Sequence, residues 1–176
     1  MNARFLVCLA IAAGSLHAQN TLKDTTIQRY WNSIRRNLEA TAQVVPADKM
    51  SYKLTPAQFS LEGWLNHSTE RNYLDCSILK GEANPMPKAK TDMITGKEDV
   101  TKNLKESFAY CEAVFANLDD AKILSSPQMT ASFLHTVVHN NEIYGNLVGY
   151  LRSIGITPPS TEAASQGGMG KKGKKQ

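Results

Sequence analysis

The sequence predicts an all-α fold, a four-helix bundle, on three observations. Apolar residues recur at three- and four-residue steps from residue 25 to 154, glycine and proline cut that pattern into four long stretches, and no alternating strand pattern interrupts it. A chain of 176 residues is long enough for one well-buried domain and short for two.

The first eighteen residues, MNARFLVCLAIAAGSLHA, set Arg4 ahead of the apolar run FLVCLAIAA and end on small residues at Ala18. That order reads as a secretory signal peptide, too short and wrongly flanked for a membrane span. The expected organisation is a signal peptide at 1–18, a helical domain at 19–159 and a disordered Gly/Lys tail at 160–176. No other segment is apolar enough to cross a bilayer, so the processed chain is expected to be periplasmic or secreted, without a transmembrane segment.

The first helix is expected from about Thr25 to Val45, with Ile27, Trp31, Ile34, Leu38 and Val45 on one stripe and Pro46 as its stop. The second is placed from Pro56 to Leu79, opened by a Thr55 cap with proline at the first helical position. Residues 80–97, KGEANPMPKAKTDMITGK, hold two prolines and two glycines and are longer than a tight hairpin needs. They read as a crossover between two parallel helices, which excludes a simple up-down-up-down order. The third helix spans about Glu98 to Leu118 on the stripe Val100, Leu104, Phe108, Cys111 and Phe115. The fourth runs from Pro127, capped by Ser126, to Ile154, and its apolar residues fall on two faces.

Charge narrows the function classes. The formal net charge is +4, but Arg4, Lys171, Lys172, Lys174 and Lys175 supply five of the 20 basic residues, so the body of the chain nearly balances the 16 acidic ones. A nucleic-acid binder would spread its basic residues over one face of the domain, so no nucleic acid is expected as partner. Two cysteines follow the leader, Cys76 and Cys111; an oxidising compartment permits a disulfide between them, and two small buried thiols fit the pattern equally well.

Three histidines follow the leader as well. His67 shares a stripe with Trp64, Leu74 and Ile78 and points inward, His139 borders the core near Ile143 and Tyr150, and His135 is turned toward Val138 and Glu142. Inward histidines on separate helices are how bundles build metal sites, and they also occur as hydrogen-bonded residues at a core edge. His135 and His139, four apart, could share one Zn²⁺ or Ni²⁺ with His67 as a third ligand, although the supporting HExxH pattern is missing. Glu70, Arg71, Asn72 and Glu142 read as a solvated helix face. No phosphate loop, serine elbow or paired-carboxylate motif is present, and both cysteines fall at packed positions.

The runs GWLNHSTERNYLDC at 63–76, KGEANP at 80–85, SFAYCE at 107–112 and HNNEIYGNLVGYLRSIGITPPS at 139–160 together resemble exported members of the DinB-like, YfiT-like superfamily. The resemblance covers nearly all of the chain between leader and tail. It implies a four-helix bundle of up-down-down-up topology with the long crossover between helices 2 and 3. It also implies a divalent metal on three histidines, one on the second helix and two spaced H-x-x-x-H on the fourth, and relatives that are metal-dependent thiol transferases or hydrolases. Carried over by position, the ligands are His67 and His139, and the third falls on Ile143, whose side chain has no lone pair. His135, Glu142 or Tyr150 would each need a shifted geometry to replace it. The expectation is therefore a degraded site in a non-catalytic protein that binds a small molecule, a protein partner or a second copy of itself. The alternative is an active Zn²⁺ or Ni²⁺ enzyme with an atypical third ligand.

Overall fold

The computed structural model of the chain describes residues 21–164. The expected signal peptide and the end of the tail, from 165 onward, lie outside them. Among the described residues every regular element is helical: α1 (Leu22–Thr26), α2 (Asn32–Val44), α3 (Leu61–Lys80), α4 (Lys88–Thr91), α5 (Lys97–Phe115), α6 (Asp120–Ile123) and α7 (Pro127–Ser153). The chain is all-α.

A π-helical turn, Ile27–Trp31, joins α1 to α2 without a break. Thr21 caps α1 by accepting from the Asp24 amide, and the Asp120 carboxylate of α6 accepts from the amides of Leu22 and Lys23 at 2.6 and 2.9 Å. The free amides of a helix start are thereby satisfied by a carboxylate. Trp31, at the end of the π turn, is wholly buried, edge-on to Phe108 at 5.1 Å and to Phe115 at 4.9 Å between ring centres. These three rings bind the first helical segment to α5.

Contacts give the order of packing. Along α3 and α5 they advance in the same chain direction: Glu62 approaches Gly96, Asn72 bonds Ser107, and Cys76 is joined to Cys111. Along α3 and α7 they run in opposite directions, from Phe59 with Tyr150, through Ser68 with Asn140, to Asp75 with His135. Along α2 and α5 they also oppose, from Trp31 with Phe115 to Gln43 with Lys97.

Three features differ from expectation. The second long helix starts at Leu61 rather than Pro56, because Ser60 is the cap, its hydroxyl accepting from the Gly63 amide at 3.1 Å, while Thr55 opens only a turn closed by the Gln58 amide. The crossover holds a short helix of its own, α4, fastened by the Asn66 amide donating to the Ile94 carbonyl at 2.7 Å. Residues 160–164, in the tail expected to be disordered, continue a helix that begins at residue 159, and Ser160 is held there by the Tyr144 hydroxyl. Ser126 caps α7 at the Met129 amide, with Pro127 in the first turn. Among the described residues no helix is long and apolar enough to cross a membrane.

The Cys76–Cys111 disulfide closes a loop with a sequence separation of 35 and lies in the core, with both residues at 0 % exposure. Loop-closure entropy for that length corresponds to about 3–4 kcal/mol. Urea unfolding of the Cys76→Ala/Cys111→Ala protein is expected to show a loss of that order relative to the oxidised protein. An unchanged midpoint would show that packing alone holds α3 to α5.

Candidate functional site

The buried face of α3 is polar at its centre. Leu61, Leu65, Cys76 and Leu79 face the core at its two ends, and Ser68, Thr69 and Asn72, all at 0 % exposure, face it between them. Helical spacing places Ser68 and Asn72 one turn apart, level with Asn140 of α7 and Ser107 of α5. The Ser68 hydroxyl donates to Asn140 Oδ1 at 2.5 Å, and Asn140 Nδ2 donates to Asn72 Oδ1 at 2.8 Å and to the Thr136 carbonyl at 2.6 Å. Asn72 Nδ2 donates to Ser107 Oγ at 3.1 Å, and that hydroxyl in turn donates to the Leu104 carbonyl at 2.7 Å. The ladder crosses three helices with every bond direction defined.

His67 and His139 directly precede Ser68 and Asn140, so this ladder fixes their relative height. Their Nε2 atoms stand 2.9 Å apart, with ring centres at 4.9 Å and planes nearly perpendicular. His67 Nδ1 is 3.1 Å from Glu70 Oε2, and His139 Nδ1 is 2.9 Å from Glu142 Oε2. A line of four groups results: Glu70, His67, His139, Glu142. Each carboxylate end requires an N–H, and the central contact requires one donor and one acceptor. Two neutral rings bring two protons to these three contacts; a third proton, and with it one positive charge, would be needed to satisfy all three.

Burial pushes the His67 imidazole below its ordinary value; the Glu70 hydrogen bond opposes this, while the charges of His139 and Arg71 lower it further. His67 is half-buried at the edge of the core rather than inside it. The apolar stripe of Trp64, Leu74 and Ile78 that pointed it inward is itself only half-buried, because polar residues occupy the true core face of α3.

His135 does not turn away as expected. Its ring stacks on His139, with centres 4.6 Å apart and planes inclined by 14°, and its Nδ1 lies 2.7 Å from Oδ2 of the buried Asp75. Arg71 Nη2 approaches the other oxygen of Asp75 at 3.4 Å. Glu70, Arg71 and Asn72, expected on a solvated face, are thus part of the site or of the ladder beneath it. Only Glu142 keeps an exposed carboxylate.

Ile143, in the position of the resemblance's third ligand, is at 0 % exposure within the apolar core, and Tyr150, also buried, gives its hydroxyl to the Phe59 carbonyl at 2.7 Å. Among the described residues no group of three or more His, Cys, Asp or Glu side chains is arranged to hold a metal ion. A tetrahedral ion with metal–nitrogen bonds of about 2.0–2.1 Å would hold two nitrogens roughly 3.3–3.4 Å apart. The Nε2 atoms are closer than that, at a hydrogen-bond distance. The side chains present do not fit the three-histidine metal centre.

Beside the pair lies a cleft of about 240 Å³, with His67, Glu70, Asn66 and Phe59 on one side and Lys88, Asp92 and Ile94 of the crossover on the other. Lys88 is tied to both oxygens of Asp92, at 2.5 and 2.7 Å. The Phe59 ring leans on Trp64 and His67, with centres 5.1 and 5.7 Å away. This cleft is somewhat smaller than the roughly 300–1,000 Å³ typical of small-molecule and cofactor sites. No protein-family model, curated protein or solved structure matches the chain.

Two outcomes are expected. Asn140→Ala leaves the Ser68 hydroxyl and the Asn72 carbonyl without partners and should cost about 2–4 kcal/mol in chemical denaturation; a loss below about 1 kcal/mol would mean water replaces the amide. For pH, a basic group with a lowered folded-state pKa binds fewer protons folded than unfolded, so its stabilising effect is full above the ordinary imidazole value of about 6.5 and is lost as pH falls through it. The melting temperature should therefore fall from pH 7 to pH 5, and less so in His67→Gln.

Proposed function

We propose that the chain is an exported DinB-like protein in which the family's metal centre has been reduced to a histidine pair, and that it acts by binding a small ligand in the cleft beside His67 rather than by metal-dependent catalysis. On this reading α1–α2, α3, α5 and α7 are the four members of an up-down-down-up bundle. The same-direction contacts of α3 with α5, and the opposed contacts of α3 with α7 and of α2 with α5, support that order.

One observation carries the functional reading: Ile143 is sealed in the core where a third ligand would stand, while the two remaining imidazoles bond to each other. Neutral or singly charged, such a pair can give and take a hydrogen bond at the wall of the cleft. Glu70, with His67 against one oxygen, adds an acceptor to the same wall, and the Phe59 ring adds an apolar surface.

A second reading has its own support. Each ring turns Nδ1 to a carboxylate and presents Nε2, which is how metal-ligating histidines are oriented by their surroundings. A Zn²⁺- or Ni²⁺-dependent thiol transferase or hydrolase would keep that orientation and need an atypical third ligand, with Glu142 and His135 the nearest donors.

Metal analysis separates the two. The purified protein, equilibrated with Zn²⁺ or Ni²⁺ and desalted, is expected to hold much less than one ion per chain and to melt at an unchanged temperature. Ile143→His should raise the affinity, since it supplies a donor one turn beyond His139. One tightly held ion in the unaltered protein, lost in His67→Ala, would establish the second reading instead.

A further inference from the structure

The outward face of α7 is not built like a face that meets water. Between Pro127 and Leu151 the helix has one Asp, Glu, Lys or Arg, which is Glu142. Its exposed positions include Ala131, Leu134, Val138, Asn141, Gly145 and Gly149. At 100° per residue, positions 134, 138, 141, 145 and 149 fall within an arc of about 80°. A helix that borders solvent normally opposes its buried stripe with charged residues.

The two glycines have no reason within the monomer. Both have ordinary helical φ, since only Gly81, Gly96 and Gly155 are positive. A Cβ on Gly145 would meet nothing within 4 Å, and one on Gly149 would meet only Leu54 Cδ2 at 4.0 Å, an ordinary contact. Glycine is the weakest helix former after proline, and these two sit inside a helix of 27 residues. What glycine offers there is close approach from outside.

The bulky and the small positions are arranged about a centre. Leu134 lies as far before the midpoint of Asn141 and Glu142 as Gly149 lies after it, and Val138 and Gly145 flank the same midpoint. We propose that α7 is the interface of a two-fold symmetric homodimer, its exposed face packed antiparallel on the same face of a second copy. In that register Leu134 sits over the partner's Gly149, Val138 over the partner's Gly145, and Asn141 opposite the partner's Glu142. Each contact occurs twice, as a two-fold axis requires.

Charge and shape both favour a second copy over a different protein. The single carboxylate meets an amide: Asn141 Nδ2 gives one hydrogen to the Val137 carbonyl at 2.8 Å and has its second free to reach across the axis. The apolar groove of about 630 Å³ between Tyr30 and the Leu134–Val138 ridge widens the patch beyond one helix. Tyr30 and Val138 are more than half exposed in the monomer, at 56 % and 55 %. From Leu134 to Gly149 the paired stretch is about 22 Å long, toward the small end of stable interfaces, which bury about 800 Å² on each partner. A dissociation constant in the micromolar range is expected.

Sedimentation equilibrium of the purified protein over a range of concentrations tests this, with Val138→Lys and Gly145→Glu as variants. Both positions are exposed, and glutamate is a better helix former than glycine, so both proteins should keep their helix content by circular dichroism. The unaltered protein should dimerise, and each variant alone should dissociate at least tenfold more readily. Because position 138 faces position 145 across the axis, a one-to-one mixture of the two variants should form a heterodimer tighter than either homodimer, and high salt should weaken it. An Asn141→Cys protein should cross-link to itself under mild oxidation. A protein that stays monomeric to about 0.5 mM, a dimer indifferent to both substitutions, or a mixture that pairs no better than its components would each overturn the proposal.

Discussion

The buried ladder of Ser68, Asn140, Asn72 and Ser107 is the constraint on which the rest of the site depends. Apolar packing alone leaves helices free to slide by a turn at small cost, because one methyl group can replace another. A hydrogen-bonded amide cannot slide: moving α7 by one residue would leave Ser68 and Asn72 unpaired in a region where both are at 0 % exposure. Such an unpaired group costs about 1–3 kcal/mol. The disulfide does the same for α3 and α5 by a covalent link one turn above Asn72. With both registers fixed, residues 67 and 139 have one relative height, and their imidazoles meet.

The histidine pair inherits its chemistry from this position. Two imidazoles held Nε2 to Nε2 at 2.9 Å are in direct hydrogen-bond contact, one ring donating and the other accepting. The carboxylates at the outer ends each face the Nδ1 of one ring, at 3.1 and 2.9 Å, and so fix its orientation. His135 stacks on this line with its own carboxylate, Asp75, so three histidines meet three acids within a small volume. Each histidine has one of its nitrogens engaged by its own acid, which is an arrangement for orienting rings. The cleft is completed from the other side. Tyr150 holds the Phe59 carbonyl and Ser153 donates to the Tyr52 hydroxyl, so the link before α3 is stapled to the end of α7 and sets the Phe59 ring against His67.

Helix existence was legible in the sequence because the core residues of α2, α5 and α7 recur at helical spacing; Trp31, Ile34 and Leu38, and Val100, Leu104, Phe108 and Cys111, are all buried as their stripes require. The same reading misjudged α3, where apolar periodicity selects Trp64, Leu74 and Ile78, and the polar residues Ser68, Thr69 and Asn72 take the core. A hydrophobic pattern has no means of showing that polar groups satisfy one another across helices. A usable signal existed: Ser68 and Asn72 stand on the stripe of Leu61, Leu65, Cys76 and Leu79, and a polar pair on an apolar stripe calls for partners. Asp75 as the partner of His135 left no such trace, since it depends on how α3 and α7 cross. The Thr55–Pro56 start misled for a local reason: the Thr55 turn is closed after Gln58, and Ser60 has the open amide to cap.

Ile143 belongs to the apolar core and not to the histidine pair. It follows His139 by one turn but is rotated further toward the core, and the structure gives it 0 % exposure where His139 remains partly open. An imidazole at that depth must find a partner for each ring nitrogen or bind an ion; without the ion it is an unsatisfied polar group. Isoleucine needs neither and contributes about 1.5–3 kcal/mol through burial of its side chain. The ladder sets the height at which the two imidazoles meet, and the isoleucine seals the core beside them.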